Sequence, residues 1–442
     1  MGDFNKQQIN ASRPEKGIHL VIAGPGTGKT RTMIERINST VKEFSLHPEN
    51  LLILTFSRRA AEEIRERLTG SSGIDFSSAF AGTFHSFCLR MLMENSELYL
   101  EHSGMESFPG VIDIEHETSI RQKLFMRDPE RFMGIPYDAV MKIINKQKPF
   151  QPKTAARISK SGLNLQMEQF REEYRLYKHE NSLIDYTDMT AHAAALLSSS
   201  EKLRKKVQAK YMFIFIDEFQ DTSDEDFSLL SLVTGDNANI FMVGDDYQAI
   251  YRFRNARVEY LVNARRFFPG ANIHKLTVNY RSYKEIVHVS NLFIRHNSFR
   301  SKKKIVSANG KGGRVLFHHA KNFIDEADIV SRIVNAGDES CTCAVLYRNN
   351  YQGDRLRRLI SCVGDYPSLL TMHASKGLEF DCVIISGVDD NLIPDMDTDI
   401  EDERRLFYVA LTRARREMHI IYETDNKGKI PRFIAECGYK GE

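Results

Sequence analysis

The chain reads as an α/β protein with two sets of strands and a helical insertion within the first, and three observations carry that reading. An apolar run, Ile18 to Ala23, feeds the glycine-rich turn GPGTGKT, Gly24 to Thr30, and a helical pattern follows it. Short apolar runs then alternate with amphipathic stretches, break off at about Met91, and resume near Tyr211. A second series of apolar runs fills the C-terminal part, at Arg314 to Phe317, Cys343 to Tyr347, Cys382 to Ile385 and Met418 to Tyr422.

In chain order, the first turn has the spacing of a phosphate cradle. Gly24, Gly26 and Gly28 let backbone N–H groups face an anion at a helix N-terminus, with Thr27 between the last two. Lys29 reaches the terminal phosphates and the Thr30 hydroxyl suits magnesium. The loop alone implies a bound nucleoside triphosphate and nothing narrower. Asn50 to Phe56 predicts a strand, and Arg59 to Leu68 a helix with Ala60, Ala61, Ile64 and Leu68 on its apolar face. From about Met91 to Ser182 the pattern is helical, Gln166 to His179 being the clearest case, as for an inserted subdomain. Tyr211 to Ile216 and Asn239 to Val243 predict the returning strands, and His274 to Val278 an interdomain linker.

Composition bounds the chemistry. With 442 residues and 42% apolar content the chain is too long for one core, so several domains are expected. A net charge of +2 places any nucleic-acid binding in a local groove rather than a global field. The six cysteines form no C-x-x-C pair and read as reduced thiols. No apolar stretch is long enough to span a bilayer, so the expected location is the cytoplasm, away from membranes.

The run Tyr211 to Ile216 ends in Asp217-Glu218-Phe219-Gln220-Asp221. Acids at the tip of a buried strand beside a phosphate loop suit magnesium at Asp217, and Glu218 suits the water that attacks a gamma-phosphate. The cluster Gly244-Asp245-Asp246-Tyr247-Gln248, continuing to Arg254, ends in interleaved rings and arginines. There Gln248 can report the gamma-phosphate, while Tyr251, Phe253 and Arg254 suit the stacking of unpaired bases.

With these motifs assembled, the chain resembles the superfamily-one DNA helicases of the UvrD/Rep/PcrA type from end to end. Phe4-Asn5-Lys6-Gln7-Gln8 is similar to the adenine-reading segment, which implies that Gln8 selects ATP over GTP. Thr55 to Ala61 and Gly82 to Phe87 resemble two strand-contacting motifs and imply DNA contacts at Phe56 and His85. Asp185-Tyr186-Thr187-Asp188 resembles the point where the first core domain resumes, and DEFQD is the form typical of this branch. In Asn279-Tyr280-Arg281-Ser282 the resemblance implies Tyr280 on adenine and Arg281 on the gamma-phosphate. The segment Thr371 to Phe380 implies Glu379 on the ribose, with Thr371 and His373 near the DNA backbone; Glu403 to Ala414 implies Arg413 as a second arginine finger. Phe253 stands where a tryptophan is usual in the family.

The implied architecture is two RecA-like P-loop NTPase domains: a first core at 1–90 and 184–275, a helical accessory subdomain at 91–183, and a second core at 276–442. Between Tyr347-Arg348-Asn349-Asn350 and Thr371 there is room for one helix and a turn, so the family's second accessory insertion is expected to be absent. A stretch from Lys142 to Lys160 has six basic residues and no acidic one, as for a phosphate contact. Pro431 to Ile434 resembles the closing segment of the family. The implied activity is ATP- and magnesium-dependent 3′-to-5′ movement on single-stranded DNA in repair or replication. Two alternatives stay open: a DNA-sensing subunit of a Gabija-type antiphage complex with a nuclease or other protein partner, and a nucleotide switch without motor activity.

Overall fold

The computed structural model describes residues 4–132, 134–144, 164–235, 238–337, 340–360, 366–395, 398–425 and 427–441. The basic stretch Lys142 to Lys160 lies outside the described residues from 145 onward. The chain divides into two compact units: Met1–Leu46, Phe215–Thr222 and Asn239–Glu442 form one, His47–Ile214 and Ser223–Ala238 the other.

In the first unit the buried strand Ile18–Ala23 lies between Ile240–Gly244 and Asn272–Leu276, parallel to both. Parallel strands covered on both faces read as continuous apolar runs, and IHLVIA and IFMVG do so. Asn272–Leu276 has only two apolar residues, Ile273 and Leu276, and is mostly exposed or partly buried, which is why it reads as a linker; residues 274–276 of the expected linker His274 to Val278 are instead strand. A second sheet of five parallel strands runs in the order Arg314–His319, Ala414–Tyr422, Phe380–Val388, Cys343–Tyr347, Ser368–Thr371. Its core packs Val383, Ile385, Met418 and Ile420 against the helices Lys284–Ile294 and Ile400–Leu411, with Phe293, Phe407 and Phe433 in mutual ring contact. Between Cys343–Tyr347 and Ser368–Thr371 stands one described helix, Asn350–Leu359.

In the second unit Leu51–Thr55 and Phe80–Thr83 pair in parallel. Ser57 caps the helix Arg58–Ser72 by accepting from the Ala60 N–H at 3.2 Å. Helices of this unit enclose a hydrophobic cluster that includes Phe125, Phe132, Phe170 and Tyr174. Its exit is held by charge: buried Lys178 donates to Asp185 at 2.6 Å and also to Asp188, while the Tyr174 hydroxyl donates to Asp185 at 3.1 Å. Asp185 and Asp188 cap each other's backbone at the start of the helix Tyr186–Ser199, so the segment that returns the chain is fixed by its own acids.

The five described cysteines, Cys88, Cys341, Cys343, Cys382 and Cys437, are free thiols. Among the described residues no helix is long and apolar enough to cross a membrane.

On neighbouring strands of the first unit, His19 Nδ1 and His274 Nε2 are 3.2 Å apart with stacked rings. Burial, then the charges of His19 and Arg36, pulls His274 down to about 4. An unfolded imidazole takes its proton near 6.5 and the native one near 4, so the unfolded chain binds more protons in between. Stability therefore falls as pH drops through that window, by an amount on the order of 2 kcal/mol. Urea denaturation at pH 7.5 and pH 4.5 is expected to show a smaller loss for His274→Gln than for the natural protein; equal losses would assign the acid sensitivity elsewhere.

Candidate active site

The strand Ile18–Ala23 delivers the glycine-rich turn to the N-terminus of the helix Lys29–Glu43. Gly26 and Gly28 adopt left-handed φ of 65° and 77°, which side-chain-bearing residues take only at a cost. A Cβ on Gly26 would lie 2.6 Å from Arg281 Cβ, and one on Gly28 would lie 2.8 Å from Gln8 Nε2. The turn is thus held against two residues that were predicted to work with it.

Gln8 sits in a capping box on the helix Lys6–Ser12: its Oε1 accepts from the Asn5 N–H at 3.0 Å and its Nε2 donates to the Thr27 carbonyl at 3.0 Å. Asn5 Nδ2 donates to the Tyr280 hydroxyl at 2.7 Å, which sets the N-terminal segment beside that exposed ring. Asn279 Nδ2 donates to the Pro25 carbonyl at 2.9 Å, while its Oδ1 accepts from the backbone N–H groups of Arg281 and Ser282, each at 2.8 Å. This one amide ties the turn to the arginine that follows it.

Thr30 Oγ1 lies 3.4 Å from Asp217 Oδ2. A hydroxyl and a carboxylate are hard oxygen donors, so these two residues fit magnesium. Glu218, at a left-handed φ of 53°, is among the few non-glycine residues in that region, and its N–H bonds Asp217 Oδ1 at 2.9 Å. Burial, then the charge of Glu218, raises Asp217 to about 7. Burial also opposes ionisation of Glu218, but Lys29 and Lys376 outweigh it and hold this carboxyl down at about 2.

Gln248, buried on the turn after Ile240–Gly244, donates from Nε2 to Asp245 Oδ2 at 2.8 Å and accepts at Oε1 from Arg413 at 3.2 Å. Arg413 is 1% exposed and also donates to the Val409 and Leu378 carbonyls and to Thr412 Oγ1. Burial, then Arg281, lowers it to about 9, still cationic at neutral pH. Arg281 bonds the Glu379 carboxylate and, at 3.2 Å, the Thr412 carbonyl. Glu379, read from the resemblance as a ribose contact, is held in the structure by Arg281 and Arg415 together.

The predicted ATP-side residues therefore converge in one unit. So do five predicted DNA contacts: Arg254 lies 5.4 and 5.6 Å from the Tyr251 and Phe253 rings, Phe253 meets His373 edge-on at 5.8 Å, and Thr371 Oγ1 accepts from the Ala374 N–H. Burial, then Arg348, Lys376 and Arg254, brings His373 down to about 4, leaving it neutral at physiological pH. Phe253 is 47% exposed. Phe56 and His85 fall in the second unit, where His85 meets Tyr186 edge-on at 5.4 Å.

Sequence reading missed Lys376. Its ammonium bonds the Asp221 carboxylate and the Gln248 carbonyl, the latter at 3.2 Å, and lies 4.6 Å from the Tyr251 ring centre. It therefore touches the acidic turn, the Gln248 turn and the aromatic cluster at once. The available signal was a lysine in Ser375-Lys376-Gly377 with no acidic neighbour closer than Glu379.

The UvrD/REP helicase N-terminal domain matches residues 4–269, and the UvrD-like helicase C-terminal domain matches residues 274–362 and 367–425. Among curated relatives, the "ATP-dependent DNA helicase PcrA" of Leuconostoc citreum is 28% identical over 366 residues, covering 79% of this chain and 47% of that protein. The protein of that name from Staphylococcus aureus strain Mu50 is 28% identical over 367 residues, covering 80% of this chain and 48% of its own length. The chain thus spans about half the length of the curated relatives it matches.

Removing one partner of a buried ion pair leaves an uncompensated charge, which costs about 3–5 kcal/mol. Lys376→Met is expected to lose stability on that scale by chemical denaturation, and adding Asp221→Asn is expected to recover part of it. Additive losses in the double variant would show that the two groups are independent.

Proposed function

The chain belongs to the UvrD/REP helicase family, and on that premise we propose that it is a magnesium-dependent ATP hydrolase that moves 3′ to 5′ along single-stranded DNA. The observation that carries the reading is the convergence of Lys29, Thr30, Asp217, Glu218, Gln248, Arg281 and Arg413 within one compact unit, on the glycine-rich turn and the elements bonded to it.

In this reading Lys29 and the turn's N–H groups hold the phosphates, Gln8 and Tyr280 hold the base, and Glu379 meets the ribose. Thr30 and Asp217 would hold magnesium, whose charge would offset that of the phosphates. Glu218, kept ionised by Lys29 and Lys376, orients the attacking water and accepts its proton as the new bond to the gamma-phosphorus forms and the bond from that phosphorus to the bridging oxygen breaks, the electron pair leaving with ADP. Arg281 and Arg413 offset the charge that develops on the transferred group, and Gln248 senses its departure. Arg413 touches Gln248, and the next residues of that segment carry Tyr251, Phe253 and Arg254, so a change at the phosphate has a short covalent path to the stacking cluster.

Base stacking is tolerant of sequence, which supports movement along DNA of any sequence over recognition of a particular site. The core domains are proposed at 1–90 with 184–275 and at 276–442, around an accessory subdomain at 91–183. One described helix separates Tyr347 from Ser368, which supports the absence of a second accessory subdomain. Engagement of duplex is then proposed to depend on a protein partner.

ATP hydrolysis measured with and without an unstructured oligonucleotide tests the central claim. Stimulation by DNA is expected, and Glu218→Gln is expected to abolish the stimulated rate while a fluorescent ATP analogue still binds. An unchanged rate in that variant would refute the role of Glu218. On partial duplexes, the purified chain is expected to displace streptavidin from a 3′-to-5′ track but to separate long duplex poorly; processive unwinding by the chain alone would remove the need for a partner.

A further inference from the structure

Lys303 lies in a run of three lysines, Lys302 to Lys304, that reads as solvated surface, yet its side chain is 0% exposed. Its ammonium is 2.6 Å from Asp245 Oδ1, 2.6 Å from Asp246 Oδ1 and 4.1 Å from the Tyr247 ring centre. A cation this deeply buried persists only when its partners are fixed, so the triad is rigid.

The two carboxylates lead to different places. Asp246 accepts from the Ser301 N–H at 2.7 Å and from its hydroxyl at 2.6 Å, which closes the triad onto the segment that carries Lys303. Asp245 uses its other oxygen, Oδ2, to accept from Gln248 Nε2 at 2.8 Å. Its backbone N–H donates to Gln220 Oε1 at 2.8 Å, and Gln220 Nε2 in turn bonds Glu218.

A carboxylate only accepts and a guanidinium only donates. Between Asp245 and Arg413 the Gln248 amide therefore has a single orientation that satisfies both, with its oxygen on Arg413. That orientation is secure only while the Asp245 carboxylate is held in place, and the Lys303 ammonium at 2.6 Å holds it. We propose that Lys303 is a positioning residue for ATP hydrolysis, acting through Asp245 to hold the Gln248 amide in the orientation that receives Arg413. The inference rests on the ATP-hydrolase reading given above.

Three variants of the full chain separate this role from simple core stability: Lys303→Met, Asp245→Asn and Asp246→Asn. DNA-stimulated kcat, KM for ATP and melting temperature are measured for each, with rates taken well below every melting temperature. Asp245→Asn is expected to lower kcat about tenfold or more with KM changed less than about threefold, the pattern of a contact made in the transition state. Lys303→Met is expected to lose both kcat and melting temperature. Asp246→Asn is expected to lower the melting temperature while keeping kcat within about twofold of the natural protein. If Lys303→Met does not fold, Asp245→Asn decides, because it leaves Lys303 paired with Asp246. Natural kcat in Asp245→Asn, or an equal loss in Asp246→Asn, would overturn the proposal. Absence of DNA-stimulated hydrolysis in the natural protein would instead refute the ATP-hydrolase reading, and the inference with it.

Discussion

Charge placed out of water must be met by opposite charge, and the centre of this molecule is organised by that requirement. Asp217, Asp221, Asp245 and Asp246 are all buried, and so are Lys303 and Arg413. An ion left alone in such surroundings costs several kcal/mol, so each of these groups constrains the backbone that brings its partner. The partners come from distant parts of the chain: Asp221 meets Lys376 across 155 positions, and Asp245 meets Lys303 across 58. The parallel sheets put the strand ends in place, and the ion pairs then fix the loops between them.

The same electrostatics divides labour between neighbouring acids. Asp217, buried, and Glu218, partly buried, are adjacent in sequence, yet the first is pushed up and the second held down. Lys376 stands near Glu218 and Asp221, while burial and then the charge of Glu218 leave Asp217 the more easily protonated. Two carboxylates with separated affinities for protons suit two tasks, one for a metal and one for a water. Lys376 also joins this chemistry to the aromatic cluster, since its ammonium lies 4.6 Å from the Tyr251 ring centre while it bonds Asp221.

Local signals account for what was readable before the structure. The phosphate turn is legible because its glycines and its lysine fall within one seven-residue segment, and the central strands because IHLVIA, FIFI and IFMVG are apolar except for His19. Asn272–Leu276 was illegible because three of its five residues are polar, and Phe80–Thr83 because it is four residues long and contains a glycine. Lys303 and Lys376 were illegible for another reason. Nothing in a run of lysines, or in a lysine beside a glycine, says that the chain will fold back to bury it against acids far away. The roles of Glu379 and Gln8 were read from resemblance alone; the structure adds the bonds that hold them, to Arg281 and Arg415 in one case and to Thr27 in the other.

The contact between Gly26 and Arg281 has a thermodynamic meaning beyond its tight fit. The turn that would receive phosphate and the arginine that would stabilise its transfer share one van der Waals surface, with the Asn279 amide bridging them. Whatever ligand affinity depends on the position of that arginine, the position of the arginine must depend on the ligand by the same factor, because free energies of this kind are reciprocal. A substitution that shifts Arg281 would thus be felt as altered nucleotide affinity, even if it never touched the nucleotide.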